Sequence, residues 1–227
     1  MQRTPPARPA AAAPFRRSQT RAEEMANAIS HALGLAAAVA AGIFLLATAS
    51  QRGDSRFSLG ALVYVASGVA LYLASSAYHA LPAGRAKSGL WVCDHAAIYL
   101  FIAGTYTPFL LGVLRGPWGS ALLIAIWTLA LAGVAFKIIG GPGRYPRLST
   151  SIYVGMGWIF LLIAGPVWRL IAPAGLAWLL AGGAAYTLGV AFYRWERLHY
   201  AHFIWHLFVL AGTVCHFVAV WRFAGLG

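Results

Sequence analysis

The stretch ISHALGLAAAVAAGIFLLATA, residues 29–49, decides the fold class of this chain. It contains no acidic residue, lysine or arginine along its whole length. A helix needs about 20 mostly apolar residues to cross roughly 30 Å of hydrocarbon, so this stretch predicts a transmembrane helix. Further stretches of this kind follow at residues 58–78, 90–114, 120–139, 150–168, 172–192 and 200–221. The sequence therefore predicts an all-α integral membrane protein, a bundle of seven transmembrane helices.

The overall composition also indicates a membrane protein. Of the 227 residues, 60% are hydrophobic and 10% are charged, whereas soluble domains are roughly 45–50% apolar and about 25% charged. Intrinsic disorder of the whole chain is excluded because disorder requires low hydrophobicity. The net charge of +12 does not indicate a nucleic-acid binder, since the basic residues lie between long apolar stretches. We expect the lipid bilayer, and no nucleic acid, as the partner.

The first 22 residues differ from the rest of the chain. They are rich in proline, alanine and arginine, and they lack the apolar segment that a secretory signal needs. We interpret residues 1–22 as a disordered, basic cytoplasmic tail. The loops after it are too short to hold a second domain, so residues 23–227 are expected to form one seven-helix membrane domain.

The distribution of basic residues predicts the orientation of the bundle. Most of the 17 lysines and arginines lie on the side of the N-terminus, and the exceptions are Arg52, Arg56, Arg115, Arg169 and Arg222. Cytoplasmic loops carry the excess of positive charge in membrane proteins. The N-terminus is therefore expected in the cytoplasm and the C-terminus outside, in the plasma (inner) membrane of the cell.

Several ionisable side chains fall within the predicted spans, where such groups are costly and usually functional. With the N-terminus inside, His79 ends the second span and Asp94 lies one turn into the third. His202 and His206 occupy the first two turns of the seventh span, and their spacing of four places both on one helix face. Ser75 shares that spacing with His79. The sequence thus predicts a polar cluster at one depth near the cytoplasmic face.

Three histidines with an open fourth position are typical of a catalytic zinc site. The run from His202 to His206 lacks the glutamate of the HExxH motif, because Phe203 occupies that position. Asp94 is the only acid expected within the hydrocarbon, and it would have to supply the base from another helix. The alternative is a hydrogen-bonded polar cluster that holds the second, third and seventh helices together.

The chain resembles the hemolysin III family, the bacterial branch of the progestin and adipoQ receptors, which is related more distantly to alkaline ceramidases. The resemblance covers residues 20–223 and rests on the motifs Glu24-x-x-Asn27-x-x-x-His31-x-x-Gly34, Ser75-x-x-x-His79, Asp94 followed by Gly104-Thr105-Tyr106-Thr107-Pro108, His202-x-x-x-His206 and His216-Phe217. It implies seven helices, with the N-terminus inside and a zinc ion near the cytoplasmic face. It also implies His79, His202 and His206 as the zinc ligands, with Asp94 holding the water on the zinc and Ser75 close by.

Two interpretations remain open for Glu24, Asn27 and His31. They could hydrogen-bond to the zinc ligands on the side away from the metal, or they could cap and anchor the first helix. His216 lies about 15 Å along the seventh helix from His206, too far to join the same metal. We expect it to be a buried hydrogen-bonding residue.

The leading functional hypothesis is a zinc-dependent hydrolase that cleaves an amide or ester bond of a membrane lipid, with a role in lipid homeostasis. Asp94 would act as the base, and Ser75 would donate a hydrogen bond to the developing oxyanion. One alternative is a non-enzymatic membrane-state sensor or receptor-like protein with structural zinc. A third is a pore-forming hemolysin. The sequence leaves the substrate open, and also whether there is any turnover.

Overall fold

The computed structural model describes residues 17–195 and 197–225, and all regular secondary structure among them is helical. The elements are α1 (Arg21–Gln51), α2 (Ser55–Ala80), α3 (Arg85–Leu111), α4 (Pro117–Gly140), α5 (Pro146–Trp158), a 3₁₀ segment (Ile159–Ile163), α6 (Ala164–Leu170), α7 (Pro173–Arg194) and α8 (Ala201–Phe223). Because α5, the 3₁₀ segment and α6 follow one another without a loop, these elements form seven rods.

Six of the seven rods in the described chain are long and apolar enough to cross a membrane. The prediction of an all-α membrane protein is confirmed. The exception is α3, which covers most of the third predicted span at residues 90–114. By the criteria of length and hydropathy, α3 is not a candidate transmembrane span.

The polar composition of α3 follows from its central position. It packs against α2, α4, α5 and α8, and its polar side chains Asp94, His95, Thr105 and Thr107 are buried among these neighbours. Polar residues in membrane proteins face the bundle interior and not the lipid. Hydropathy is therefore a weaker indicator of a transmembrane span for α3 than for the peripheral rods.

Small residues bring α2 and α3 into close contact. A Cβ on Gly60 would lie 2.7 Å from the Cα of Pro108, and a Cβ on Gly104 would lie 2.0 Å from Oγ of Ser67. Both distances are too short for a real side chain, so glycine at these positions allows the two backbones to approach. This packing sets the distance between the polar residues of α2 and those of α3.

The fifth predicted span, residues 150–168, is not one continuous α-helix. The 3₁₀ segment Ile159–Ile163 interrupts it. Pro166 has no N–H to bond the carbonyl of the preceding turn, and Gly155 and Gly157 are weak helix formers. The α-helical ladder is therefore weakened on both sides of the interruption.

The start of α1 differs from the boundary predicted for the tail. The helix begins at Arg21, where Thr20 and Glu23 form a reciprocal capping box. Arg17 donates to the Glu23 carboxylate at 2.9 Å, and Gln19 accepts from Asn27 at 2.6 Å. Arg17 and Gln19 of the predicted tail are thus hydrogen-bonded to α1, whereas residues 1–16 lie outside the described residues.

Candidate metal centre and its cavities

Three histidines meet where the C-terminal end of α2 lies beside the first turns of α8. One ring nitrogen from each of His79, His202 and His206 lies within 4.8 Å of those of the other two. His79 and His206 are buried, and His202 is partly buried. Nε2 of His79 is buried without a hydrogen-bond partner among the described residues. The triad could hold a metal ion, which would satisfy this nitrogen.

A carboxylate on α1 orients His79 from behind. Nδ1 of His79 lies 2.7 Å from Oε2 of Glu24, and the other oxygen of Glu24 lies 2.9 Å from Nζ of Lys87 on α3. An imidazole that donates from Nδ1 to a carboxylate keeps Nε2 for a metal. Helices α1, α2 and α3 are therefore joined at one side of the triad.

Helix α1 also supports His206. Nδ1 of His206 lies 3.0 Å from Oγ of Ser30 and 3.3 Å from the backbone carbonyl oxygen of Asn27. The ring of His31 stacks on that of His206 with centroids 3.5 Å apart and planes 8° from parallel. The orientation of His206 is thus fixed by hydrogen bonds on one edge and by a stacked ring on one face.

Ser75 and Asp94 lie on the other side of the cluster, and both are buried. Oγ of Ser75 lies 2.7 Å from Nδ1 of His31. An Asp94 carboxylate oxygen lies 3.4 Å from Nδ1 of His95. Asp94 lines the same cavity as His202 and His206. A buried carboxylate on α3 therefore lies beside the triad.

An apolar cavity of about 170 Å³ begins at this cluster. His31, Ser75, Asp94, His202 and His206 line its polar end. From there it extends between α3, the α5–α6 rod, α7 and α8, where aliphatic and aromatic side chains line most of it. At its other end it reaches Leu114 in the loop after α3, Leu122 near the start of α4, and Ile171 directly after α6. The arrangement places a polar centre at the head of a long apolar space.

A second cavity, which we call the polar vestibule, reaches the triad from the N-terminal side. His79 and His202 line it together with Arg17, Gln19 and Glu23. The hydrogen bonds that Arg17 donates to the Glu23 carboxylate raise the pKa of Arg17 above its ordinary value, so this guanidinium is charged at neutral pH. The triad therefore lies between an apolar space and a charged, polar one.

Comparison with known proteins decides the family. Residues 19–217 match the family described as Haemolysin-III related. The chain belongs to the haemolysin-III family. It is 40% identical over 198 residues to "Hemolysin-3 homolog" of Bacillus subtilis (strain 168), a match that covers 87% of this chain and 92% of the relative. It is 43% identical over 198 residues to "Hemolysin-3" of Bacillus cereus, with 87% and 90% covered.

An animal relative extends this relationship beyond bacteria. The "Monocyte to macrophage differentiation factor" of Homo sapiens is 30% identical over 207 residues, which are 88% of this chain and 84% of the relative. The match supports the link between the bacterial haemolysin-III family and the receptor superfamily that the motifs resemble.

The geometry of this haemolysin-III protein brings together the residues that the sequence singles out. The three predicted ligands form the triad, and Asp94 and Ser75 line the cavity beside it. The side chain of Glu24 contacts His79, and the side chain of His31 contacts Ser75. Asn27 contacts His206 through its backbone carbonyl. Their functional roles stay predictions.

Two residues of α1 were missed by the sequence prediction. Ser30 contacts His206, and Glu23 accepts hydrogen bonds from Arg17, Thr20 and the backbone N–H of Tyr200. Glu23 could have been found, because a threonine followed by a glutamate three residues later is the capping-box pattern. No comparable pattern marks Ser30. The sequence leaves open that Glu24 caps the first helix. In the structure Glu23 caps α1, and Glu24 does not.

Proposed function

We propose that this protein crosses the plasma (inner) membrane seven times, with the N-terminus in the cytoplasm. The central packing of α3 supports a seventh span, because its buried polar residues need not face lipid. The basic residues Lys87, Arg144 and Arg194 lie at the rod ends on the same side as the triad. The excess of positive charge on that side supports a cytoplasmic location of the metal centre.

The metal at this centre is proposed to be zinc. Three imidazoles form one of the common ligand sets of catalytic zinc, which leaves a fourth position open. The residues fit this metal, since three ring nitrogens converge and Nε2 of His79 is buried without another partner among residues 17–195 and 197–225. Glu24 would supply the supporting carboxylate that zinc-binding histidines commonly have. When bound, zinc at such a site polarises a carbonyl and makes water a nucleophile near neutral pH.

The proposed reaction is hydrolysis of an amide or ester bond of a membrane lipid. One observation carries this proposal: the triad and the buried Asp94 lie together at the head of an apolar cavity. A lipid chain would occupy the apolar cavity, and the group at the scissile bond would lie at the triad. The polar vestibule would admit water and the hydrophilic part of the lipid.

Asp94 is the residue that would move the proton. It accepts a proton from the attacking water and returns it to the leaving nitrogen or oxygen, which balances the reaction without another acid. Ser75 would donate to the oxyanion that develops on the substrate carbonyl. For this to happen, His31 must donate to Ser75 from Nδ1, so that the serine keeps its own proton for the substrate.

The variant Asp94→Asn tests the proposal. Purified full-length protein is analysed for zinc and incubated with a panel of amide and ester lipids, and the products are measured by mass spectrometry. We expect the native protein to cleave a member of the panel, and Asp94→Asn to retain zinc but lose turnover by about 10²–10⁴-fold. Cys93→Ala is the matched control, because this neighbouring side chain is exposed. Unchanged turnover in Asp94→Asn would show that Asp94 is not the base.

The same experiment separates the alternatives. A zinc-loaded native protein that cleaves no lipid of the panel would favour the non-enzymatic sensor with structural zinc. Leakage of dye from vesicles that contain the native protein would favour a pore, and we expect none. Folded protein without stoichiometric zinc would favour the polar cluster as a purely structural element.

A further inference from the structure

His216 lies in the apolar cavity but far from the triad. It is on α8, ten residues after His206, which is about 15 Å along the helix axis. Both side chains line the same cavity. The cavity, whose lining is largely apolar, therefore contains an imidazole that is separate from those of the triad.

Two glycines make the space for this imidazole. A Cβ on Gly182 of α7 would lie 2.3 Å from Nδ1 of His216, so only glycine admits the ring at this position. A Cβ on Gly212 of α8 would lie 2.6 Å from the ring of Tyr186, which in turn lies 5.4 Å from the His216 ring. The α7–α8 interface is thus shaped to hold His216 in one place.

The hydrogen bond made by His216 defines which of its two ring nitrogens is left as an acceptor. Nδ1 lies 2.9 Å from the backbone carbonyl oxygen of Gly212. A carbonyl oxygen can only accept, so Nδ1 carries the proton and Nε2 of the neutral ring offers a lone pair. In the part of the chain that the structure describes, no hydrogen bond is formed by this Nε2.

Other polar side chains along this part of the cavity are already hydrogen-bonded to the protein. Thr105 donates to the carbonyl of Ile102, and Thr187 donates to that of Gly183. Tyr186 pairs with Thr213 through their hydroxyls. Since polar groups in an apolar interior are normally paired, the acceptor on His216 points to a donor on the ligand.

We propose that His216 recognises a hydroxyl or N–H group carried within the apolar chain of the lipid, about 15 Å from the group at the triad. This inference rests on the proposed function for the lipid in the cavity, and it adds a substrate class: lipids with a hydroxylated acyl chain. A plain chain fills the same space but leaves the His216 acceptor unpaired.

The test measures binding, and therefore does not depend on turnover. Stearates with a single hydroxyl at successive chain positions compete with a fluorescent fatty acid for zinc-loaded full-length protein, and unsubstituted stearate is the reference. We expect one position, in the half of the chain far from the carboxylate, to bind about two- to tenfold more tightly than stearate. Equal affinities along the series, or no displacement by any stearate, would overturn the inference.

His216→Phe provides the matched variant, because phenylalanine keeps a ring but has no acceptor. We expect it to bind stearate as the native protein does and to lose the preference for one hydroxyl position. A preference that persists in this variant contradicts the role of His216, and if the variant does not fold, the native series still decides. If the native protein prefers one hydroxyl position but cleaves no lipid, only the hydrolase proposal is contradicted. If it cleaves a lipid but binds all stearates equally, only the role of His216 is contradicted.

Discussion

Nδ1 of His79 on α2 lies 2.7 Å from a carboxylate oxygen of Glu24 on α1. The nitrogen on the other side of the ring, Nε2, is buried and has no partner among the described residues. A carboxylate that accepts from one imidazole nitrogen fixes the tautomer and makes the other a better metal ligand. Helix α1 thereby controls, through Glu24, the tautomer and the metal affinity of His79.

Glu24→Ala is predicted to weaken zinc binding by about 10- to 100-fold, the usual effect of removing a supporting carboxylate. The dissociation constant is measured by competition with a chromophoric chelator. Lys87→Met is the control, since it removes the other partner of Glu24 but leaves the contact with His79. We expect its zinc affinity to stay close to native. Equal losses in both variants would mean that the ion pair between helices, and not the orientation of His79, is what zinc binding requires.

The histidines around α8 allow a second prediction about the metal. His202→Ala should abolish stoichiometric zinc, because two remaining imidazoles do not make a tight site. His199→Ala should retain it, since the His199 side chain is 71% exposed. Zinc per chain is measured by elemental analysis after purification. Full zinc occupancy in His202→Ala would remove this residue from the ligand set.

Spacing and depth were sufficient to predict which histidines converge. His202 and His206 lie on one helix face whatever their neighbours are, and the alternation of spans puts His79 at the same membrane level. The supporting contacts depend instead on the rotation of α1 about its axis. Glu24, Asn27 and His31 lie on one face of this helix, but their spacing does not distinguish contact with the zinc ligands from capping and anchoring of the helix.

The interruption of the fifth rod shows a similar limit for the fold. Residues 150–168 are apolar enough for a span, and hydropathy does not distinguish an α-helix from a 3₁₀ segment. Pro166 was a visible signal, but prolines are tolerated in transmembrane helices when neighbours satisfy the freed carbonyls. Pro166, Gly155 and Gly157 weaken the helix on both sides of the break, but no pattern in the sequence specifies where the 3₁₀ segment begins and ends.

The membrane topology gives a third prediction. Single cysteines are introduced at Ser55, Ala83 and Ser120, which are exposed near rod ends, after Cys93 and Cys215 are replaced by alanine. In intact cells, a membrane-impermeant maleimide should label the cysteines at positions 55 and 120 but not that at 83. Labelling of 83 and 120 from the same side would show that α3 does not cross the membrane. Labelling of the cysteine at position 83 alone would show that the orientation is opposite to the proposed one.

A fourth prediction concerns Asp54, which joins two loops on the side opposite the triad. Its carboxylate caps α2 by accepting from the backbone N–H groups of Arg56 and Phe57 at 3.1 and 3.2 Å, and it forms an ion pair with Arg115. Asp54→Ala is predicted to lower the free energy of unfolding by about 1 kcal/mol at neutral pH through loss of the cap. Arg115→Ala keeps the cap and should cost about 0.2–1 kcal/mol, as exposed ion pairs do.

The effect of Asp54 should depend on pH in a defined direction. Partial burial alone would raise the pKa of this carboxyl, but the hydrogen bonds from Phe57 and Arg115 outweigh burial and lower it below the ordinary value. A carboxylate with a lowered pKa stabilises the folded state above the unfolded pKa of about 3.9, and this stabilisation is lost as the pH falls through the lower folded value. Thermal unfolding in detergent, followed by helical circular dichroism, should therefore separate native protein from Asp54→Ala fully at neutral pH and progressively less below about pH 3.9. A difference that stays constant down to strongly acidic pH would mean that the charge of Asp54 contributes nothing and that the substitution acts through packing of the loop alone.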